Sequence, residues 1–321
     1  MPRLCARAYA KINLGLKIGP RRHDGFHELR TIYQTVTLAD RVEINLGSGS
    51  GCTLAASGLA VPLARDNLAV RAAEAAVERW NIRGRIEIHL HKVIPLGAGL
   101  GGGSSDAAAV LRLLAVLCRR PPPLRELLHL ARSLGSDVPL FLLGGTVLGL
   151  GRGDEVYALQ DLPAWHCVLA MPCSQHAAGI STPAAFARWD HCRPLTAAAG
   201  SDTLLEFCSL VDQVLPAFRN LRNRGSGAAS SAQSKVHAGI ENDFLPEVLS
   251  VSPDFLSIHR ELRRAGSVWT GLTGSGAAQF GLFADPGTAA AAASRLARLH
   301  CSWPVRFVRR ALYARGLRRL A

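Results

Sequence analysis

A chain of 321 residues exceeds the roughly 250–300 residues at which one hydrophobic core usually stops growing, so two domains are expected. With 48% hydrophobic and 19% charged residues, the composition excludes a disordered polymer, and no run reaches the ~18 uninterrupted apolar residues of a membrane span. Arg7, Lys11 and Asn13 interrupt any apolar stretch near the start, which argues against a signal peptide and for a cytoplasmic location.

Eight cysteines are scattered without a C-x-x-C pair or a metal-ligand spacing with histidine, so reduced structural thiols are expected. The formal charge of +13 suits nucleic acid and a polyanionic small substrate equally, because a positive field speeds capture of either.

In chain order, residues 8–18 alternate so that Ile12, Leu14, Leu16 and Ile18 share one face and Lys11, Asn13 and Gly15 the other. This predicts a strand with a polar working face. Val42–Leu46 and Ile86–Leu90 alternate in the same way, and between them Asp66 or Asn67 can cap an alanine-rich helix reaching Trp80. A helix is expected over Ala107–Cys118. Another starts at Pro123 and stops at Gly135, which puts Asp137 in a turn just beyond its end. From Trp165 the pattern restarts with a strand at Cys167–Met171 and helices near Leu204–Val214 and Phe255–Arg264. A strand around Ala277–Phe283, a helix at Thr288–Leu299 and a strand at Val305–Leu312 complete an α+β second half. The low-complexity stretch Asn223–Lys235 reads as a surface insertion. The expected division is 1–160 and 161–321.

Pro95-Leu96-Gly97-Ala98-Gly99-Leu100-Gly101-Gly102-Gly103-Ser104-Ser105-Asp106 joins a strand to a helix. There, backbone N–H groups and the helix dipole can converge on phosphate. A flexible linker is the alternative reading, but linkers seldom run from a strand straight into a strong helix former. Gly97, Gly99 and Gly102 satisfy G-x-G-x-x-G, yet the acidic residue expected about 20 positions later is replaced by Arg119-Arg120-Pro121. No lysine follows the glycines, so this is not a Walker loop either.

The segment resembles the P-x-x-x-G-L-G-S-S-A-A phosphate loop of the GHMP kinase superfamily. Its longer glycine run is similar to the branch acting on 4-diphosphocytidyl-2-C-methyl-D-erythritol. Ala10–Leu14, Asp24–Leu29, Gly135–Pro139 and Thr270–Gly276 agree with that branch in order and spacing. The resemblance implies a two-domain α+β GHMP kinase fold, with an N-terminal domain like domain 2 of ribosomal protein S5 and a ferredoxin-like C-terminal domain. It also implies use of ATP and Mg2+ in non-mevalonate isoprenoid precursor synthesis.

From spacing alone, Asp137 could equally cap a turn and Lys11 be a solvated strand residue. The resemblance makes them the catalytic pair, Asp137 as general base and Lys11 as the cation holding it ionised. It puts Asn67 and Lys92 near the adenosine and Gly97 to Ser105 around the triphosphate. No metal ligand can be chosen from the sequence. Asn13, Phe26, His27 and Tyr33 match positions that hold the cytidine end of the acceptor; many relatives carry tyrosine where this chain has Phe26. Gly179–Phe186 resembles a segment that covers the cytosine, which assigns Thr182 and Phe186 to the acceptor. The turn with Gly274, Ser275 and Gly276 matches a second phosphate-facing nest on the substrate side. Asn242-Asp243-Phe244 fits a family signature without an evident chemical role, and the arginines at 306, 309, 310, 315, 318 and 319 read as a solvated edge and tail. A GHMP kinase for another alcohol, such as mevalonate or homoserine, and a nucleic-acid-binding module are the alternatives. The latter would not need an aspartate and a lysine beside an ATP loop.

Overall fold

The structure, a computed structural model, describes residues 3–62, 66–118, 120–173, 181–192 and 241–320. Two long antiparallel strands, β1 (Arg3–Arg21) and β2 (His27–Gly47), carry the architecture. Their register slips between Tyr9 and Ala10, Asn13 and Gly15, and Ile18 and Arg21. Each slip bends the ribbon. As a result β1 starts in the core of one half, with Leu4, Ala6 and Ala8, and reaches the core of the other with Leu16.

The first half adds β3 (Cys52–Gly58), α1 (Leu68–Trp80), β4 (Arg85–Lys92), α2 (Gly102–Leu117), α3 (Leu124–Leu134), α4 (Leu140–Leu143), β5 (Thr146–Leu150) and β6 (Glu155–Ala158). Alternation along β1, β2 and β4 sends Ala6, Val42, Ile44, Ile86 and Ile88 into one core with the helices. Alanines at 69, 72, 73 and 76 of α1 meet those at 107, 108 and 109 of α2 there. Such small side chains let the two helices approach closely.

The second half contains β7 (His166–Pro172), α5 (Thr182–Cys192), α6 (Leu245–Val251), α7 (Pro253–Arg264), β8 (Trp269–Leu272), β9 (Gln279–Phe283), α8 (Pro286–Leu296) and β10 (His300–Arg306). Among the described residues its sheet order is β10-β7-β9-β8, antiparallel throughout. This is the ferredoxin-like pattern expected from the resemblance. β7 is apolar on both faces because both are covered. Val168 and Ala170 pack with Ile258, Leu262 and Ala293 of the helices, while Cys167 and Leu169 pack with Ile12, Ile32 and Val36 of the first half.

Two expectations are corrected. The strand anticipated over Val305–Leu312 ends at Arg306. Phe307 instead bridges Val36, the Val308 amide donates to the Thr35 carbonyl at 2.8 Å, and Arg310–Ala314 forms a short helix, α9. The chain then returns to the first sheet as β11 (Leu317–Leu320) on the free edge of β1, in the order β11-β1-β2-β4-β3, so this stretch is a paired strand rather than a tail. The second correction concerns the thiols. Cys173 and Cys301 form a disulfide, brought together by the β7–β10 register that pairs Met171 with Cys301. Cys5, Cys52, Cys118 and Cys167 are free, as expected. The helix expected at Leu204–Val214 and the insertion at Asn223–Lys235 lie outside the described residues.

Candidate active site

The glycine segment runs from the end of β4 to α2. Gly97, Gly99 and Gly101 all have positive φ, and Gly101 is the residue before the first turn of α2. The amides opening that helix, from Gly102 to Ser104, have no intrahelical acceptor and point with the positive end of the helix dipole. The Thr273–Gly276 turn faces this loop from the second half. The Ala278 amide donates to the Ala98 carbonyl at 3.1 Å and Thr273 Oγ1 to the Gly99 carbonyl at 3.0 Å. A Cβ on Gly276 would fall 2.5 Å from the Gly99 nitrogen, so glycine is needed for this backbone contact.

A cavity of about 960 Å³ opens along the loop, lined by Pro95, Leu96, Gly97 and Gly99 on one side and Thr182, Ser275, Gly276 and Trp303 on the other. Leu96 is half exposed at its rim. Ser104 lines the neighbouring cleft, whereas the Ser105 hydroxyl is buried and donates to the Tyr9 carbonyl at 2.7 Å. Of the two residues assigned to the adenosine, only Lys92 lines this space. Asn67 caps α1, accepting from the Ala69 amide and donating to the Pro62 carbonyl. Lys92 contributes to the cavity wall, but its ammonium is buried between Asp40 and Asp106, 2.6 Å from each. Asp40 also accepts from the amides of Val93 and Ile94, fixing the chain as it enters the loop. Burial raises the pKa of Asp106 well above the usual carboxylate range; Lys92 opposes the shift and Asp40 adds to it. The sequence reading missed Asp40, and treated Asp106 only as part of the loop. A lone aspartate inside a long strand, at Leu38-Ala39-Asp40 of β2, was the available signal.

A second cleft of about 670 Å³ holds Lys11, Asn13, Tyr33 and Asp137, together with Ser104, Gly274 and Ser275. Lys11 Nζ lies 3.5 Å from Asp137 Oδ2 and donates to Asn13 Oδ1 at 2.8 Å. Its side chain is 4% exposed and that of Asp137 is 32% exposed, so the lysine is held rigidly beneath a carboxylate that solvent and ligands can reach. Tyr33 donates to Asp137 Oδ1 at 3.3 Å, with the Gly153 carbonyl equally near. Burial first, then the charge of Asp137, pushes the Tyr33 phenol upward, so it remains a donor. Asn13 Oδ1 accepts additionally from the Gly274 amide, with Thr273 Oγ1 3.2 Å away, while its Nδ2 donates to Thr31. Asn13 therefore ties Lys11 to the turn of the second half. Asn242 Nδ2 holds the same turn by donating to the carbonyls of Leu272 and Gly274, and Asp243 accepts from the Ile18 amide and Lys17. The Asn-Asp-Phe signature is thus a clamp between the two halves.

The far end of this cleft carries the remaining assigned residues. The His27 ring stacks on Phe186 at 5.1 Å and 9°, with Nδ1 3.2 Å from the Gly19 carbonyl and Nε2 3.0 Å from Asp190 Oδ1. Phe26 is 52% exposed and lies under the Arg152 guanidinium at 5.0 Å. Phe186 thus faces His27. Thr182 Oγ1 and Ser275 Oγ lie 3.0 Å apart, closing the boundary between the two cavities. Arg21, Arg152 and Asp190 also line the cleft and were not anticipated. Nothing in the local pattern of the sequence marks them.

The GHMP kinases N terminal domain family matches residues 67–145 and the GHMP kinases C terminal family residues 214–301. The 4-diphosphocytidyl-2-C-methyl-D-erythritol kinase of Solibacter usitatus is 42% identical over 87% of this chain and 81% of its own length. That of Moorella thermoacetica is 38% identical over 90% and 93%. The chain belongs to the 4-diphosphocytidyl-2-C-methyl-D-erythritol kinase family, within the GHMP kinases. A crystal structure of a 4-(cytidine 5'-diphospho)-2C-methyl-D-erythritol kinase superposes with a TM-score of 0.75 at 32% identity, covering 94% of this chain and 98% of the other. In this kinase family member the loop, the Lys11–Asp137 pair and the His27–Phe186 stack come from separate motifs that the fold joins into adjoining cavities.

Proposed function

We propose that this kinase transfers the γ-phosphoryl group of ATP to the 2-hydroxyl of 4-diphosphocytidyl-2-C-methyl-D-erythritol, giving ADP and the 2-phosphate. The observation that carries the reading is the continuous cleft from Lys11 and Asp137 to His27 and Phe186. A carboxylate and a buried ammonium lie at one end, and at the other the His27–Phe186 stack, with its ring nitrogens, suits a nucleobase.

Phosphoryl transfer asks the protein for positioning, charge stabilisation and an acceptor for the hydroxyl proton. Asp137 takes that proton, and Tyr33 orients its carboxylate. Lys11 keeps the carboxylate ionised and offsets charge on the transferred group. The amides opening α2 hold the triphosphate, the Gly274–Gly276 turn faces phosphate from the substrate side at the boundary of the two cavities, and the nucleoside lies along the cavity lined by Pro95, Leu96 and Gly97. Asn67 and Lys92 act from beneath by fixing α1 and the loop. Arg21 and Arg152 offset the diphosphate of the acceptor. Among the described residues no group of three or more His, Cys, Asp or Glu is placed to hold a metal ion. A magnesium ion carried on the nucleotide would find the Ser104 hydroxyl and Asp137 as the oxygens the cleft offers it. Bound there, it would neutralise charge on the β- and γ-phosphates.

ATP turnover against a panel of acceptors tests the reading. The cytidine diphosphate substrate should be phosphorylated and mevalonate and homoserine should not. The uridine analogue presents a carbonyl and an N–H where cytidine has an amine and a bare nitrogen. It should be poor, because a site built to bond one pattern leaves its own polar groups unpaired against the other. Equal turnover of the cytidine and uridine compounds would reject the assignment of the base-binding end.

A further inference from the structure

Arg7 of β1 and Arg41 of β2 are direct cross-strand partners. They lie on the sheet face opposite the one that Ala6, Ala8 and Val42 bury under the helices. Like charges directly opposite one another destabilise a sheet unless something offsets them. The nearby carboxylates are already engaged. Glu43 accepts from both Arg3 and Arg41, and Asp40 from Lys92 and two backbone amides. The guanidinium of Arg7 has no hydrogen-bond or ion-pair partner among the described residues. Neither has that of Arg315, which α9 brings alongside when the Arg7 amide bonds to the Gly316 carbonyl at 3.2 Å. Arg7, Arg41 and Arg315 converge on a cavity of about 800 Å³ whose wall includes Tyr9, Thr37 and Leu312. None of its lining residues lines either catalytic cavity.

We propose that this cavity is a second binding site, distinct from the catalytic cleft, for a phosphate or diphosphate group. Guanidinium forks match the oxygens of phosphate bidentately; Arg7 and Arg315 are the two left without a protein partner to offset an ionised group, while Arg41 borders them paired with Glu43, and Asp40, also in the wall, is already held by Lys92. Buried Tyr9 and exposed Leu312 add an apolar wall, against which the body of an organic ester can rest. The site also gives part of the C-terminal arginine cluster, which the kinase reaction does not use, a place in the structure.

Calorimetric titration with inorganic diphosphate, on full-length enzyme saturated with both a non-hydrolysable ATP analogue and the cytidine diphosphate acceptor so that both catalytic cavities are filled, tests the proposal. One further equivalent should bind. Arg7→Glu combined with Arg315→Glu should weaken it at least tenfold, while analogue affinity and kcat stay within about twofold. The single Arg7→Gln variant, which removes charge without reversing it, should give a smaller loss in the same direction. Glycerol phosphate forms the second arm. Tighter binding than inorganic diphosphate assigns the Tyr9–Leu312 wall to an ester's body, and weaker binding assigns the site to the free ion. Loss of all diphosphate binding on cleft saturation, or unchanged affinity in the double variant, overturns the proposal.

Discussion

A Cβ built on Gly99 would lie 2.1 Å from the carbonyl oxygen of Thr273. The phosphate loop and the turn of the second half are therefore in backbone contact, and Gly99→Ala must push them apart while also straining a residue at φ +77. Overpacking of this kind costs about 1–3 kcal/mol. Both the melting temperature and the stabilisation by an ATP analogue should fall. Gly103→Ala is the matched control, because its Cβ would meet nothing nearer than 3.8 Å. Gly101 is a poorer choice, since its Cβ would strike the Phe141 ring at 2.9 Å and the Lys11 stem at 3.2 Å. Equal melting curves for Gly99→Ala and Gly103→Ala would show that the contact does not matter.

Asp137→Asn should keep nucleotide affinity and lose turnover. The amide preserves shape and the Tyr33 contact but cannot accept the hydroxyl proton, and general-base catalysis typically contributes ~10²–10⁴-fold. Steady-state kcat beside a direct measurement of ATP binding separates the two effects. A kcat within a few-fold of wild type would remove Asp137 from the chemistry.

His27→Ala should raise KM for the cytidine acceptor about tenfold and leave KM for ATP nearly unchanged. The ring supplies the face against Phe186 and the nitrogen beside Asp190, both remote from the reacting hydroxyl. Removing such ground-state binding shows in KM before kcat. A defect confined to ATP would place His27 on the nucleotide side and contradict the acceptor assignment.

Asp106 should make the protein less stable as pH rises. Its folded pKa lies well above the ordinary value of 3.8, so the native state retains a proton that the unfolded chain releases. The stability associated with it is full below the unfolded pKa and is lost as pH climbs through the raised one. Asp106→Asn, which cannot ionise, should flatten that dependence in urea unfolding measured between pH 4 and neutrality, on the order of the carboxyl titration range. Identical slopes for the two proteins would mean that Asp106 is ionised in the fold.

Much of the fold and site was legible in the sequence because it is written in short-range patterns. The strand period of Ile12, Leu14 and Leu16, the wholly apolar Cys167–Met171, and the glycines between a strand and an alanine-rich helix each constrain the backbone locally. The same holds for Asp137, whose place in a turn follows from Gly135 ending α3. Partnerships were not legible. Nothing near Lys92 says that its ammonium goes to Asp40 and Asp106 rather than to a ligand. Nor does anything local separate Ser104, which lines the cleft, from Ser105, which bonds Tyr9. The pairing of Cys173 with Cys301, the return of Leu317–Leu320 to β1, and the arrival of Arg152 and Asp190 beside His27 depend on sheet register and on the docking of the two halves. Local sequence sets which backbone shapes are cheap. Which polar groups end up facing one another is decided by the close packing of residues far apart in the chain, because a buried charge or donor must take whatever partner that packing brings within reach.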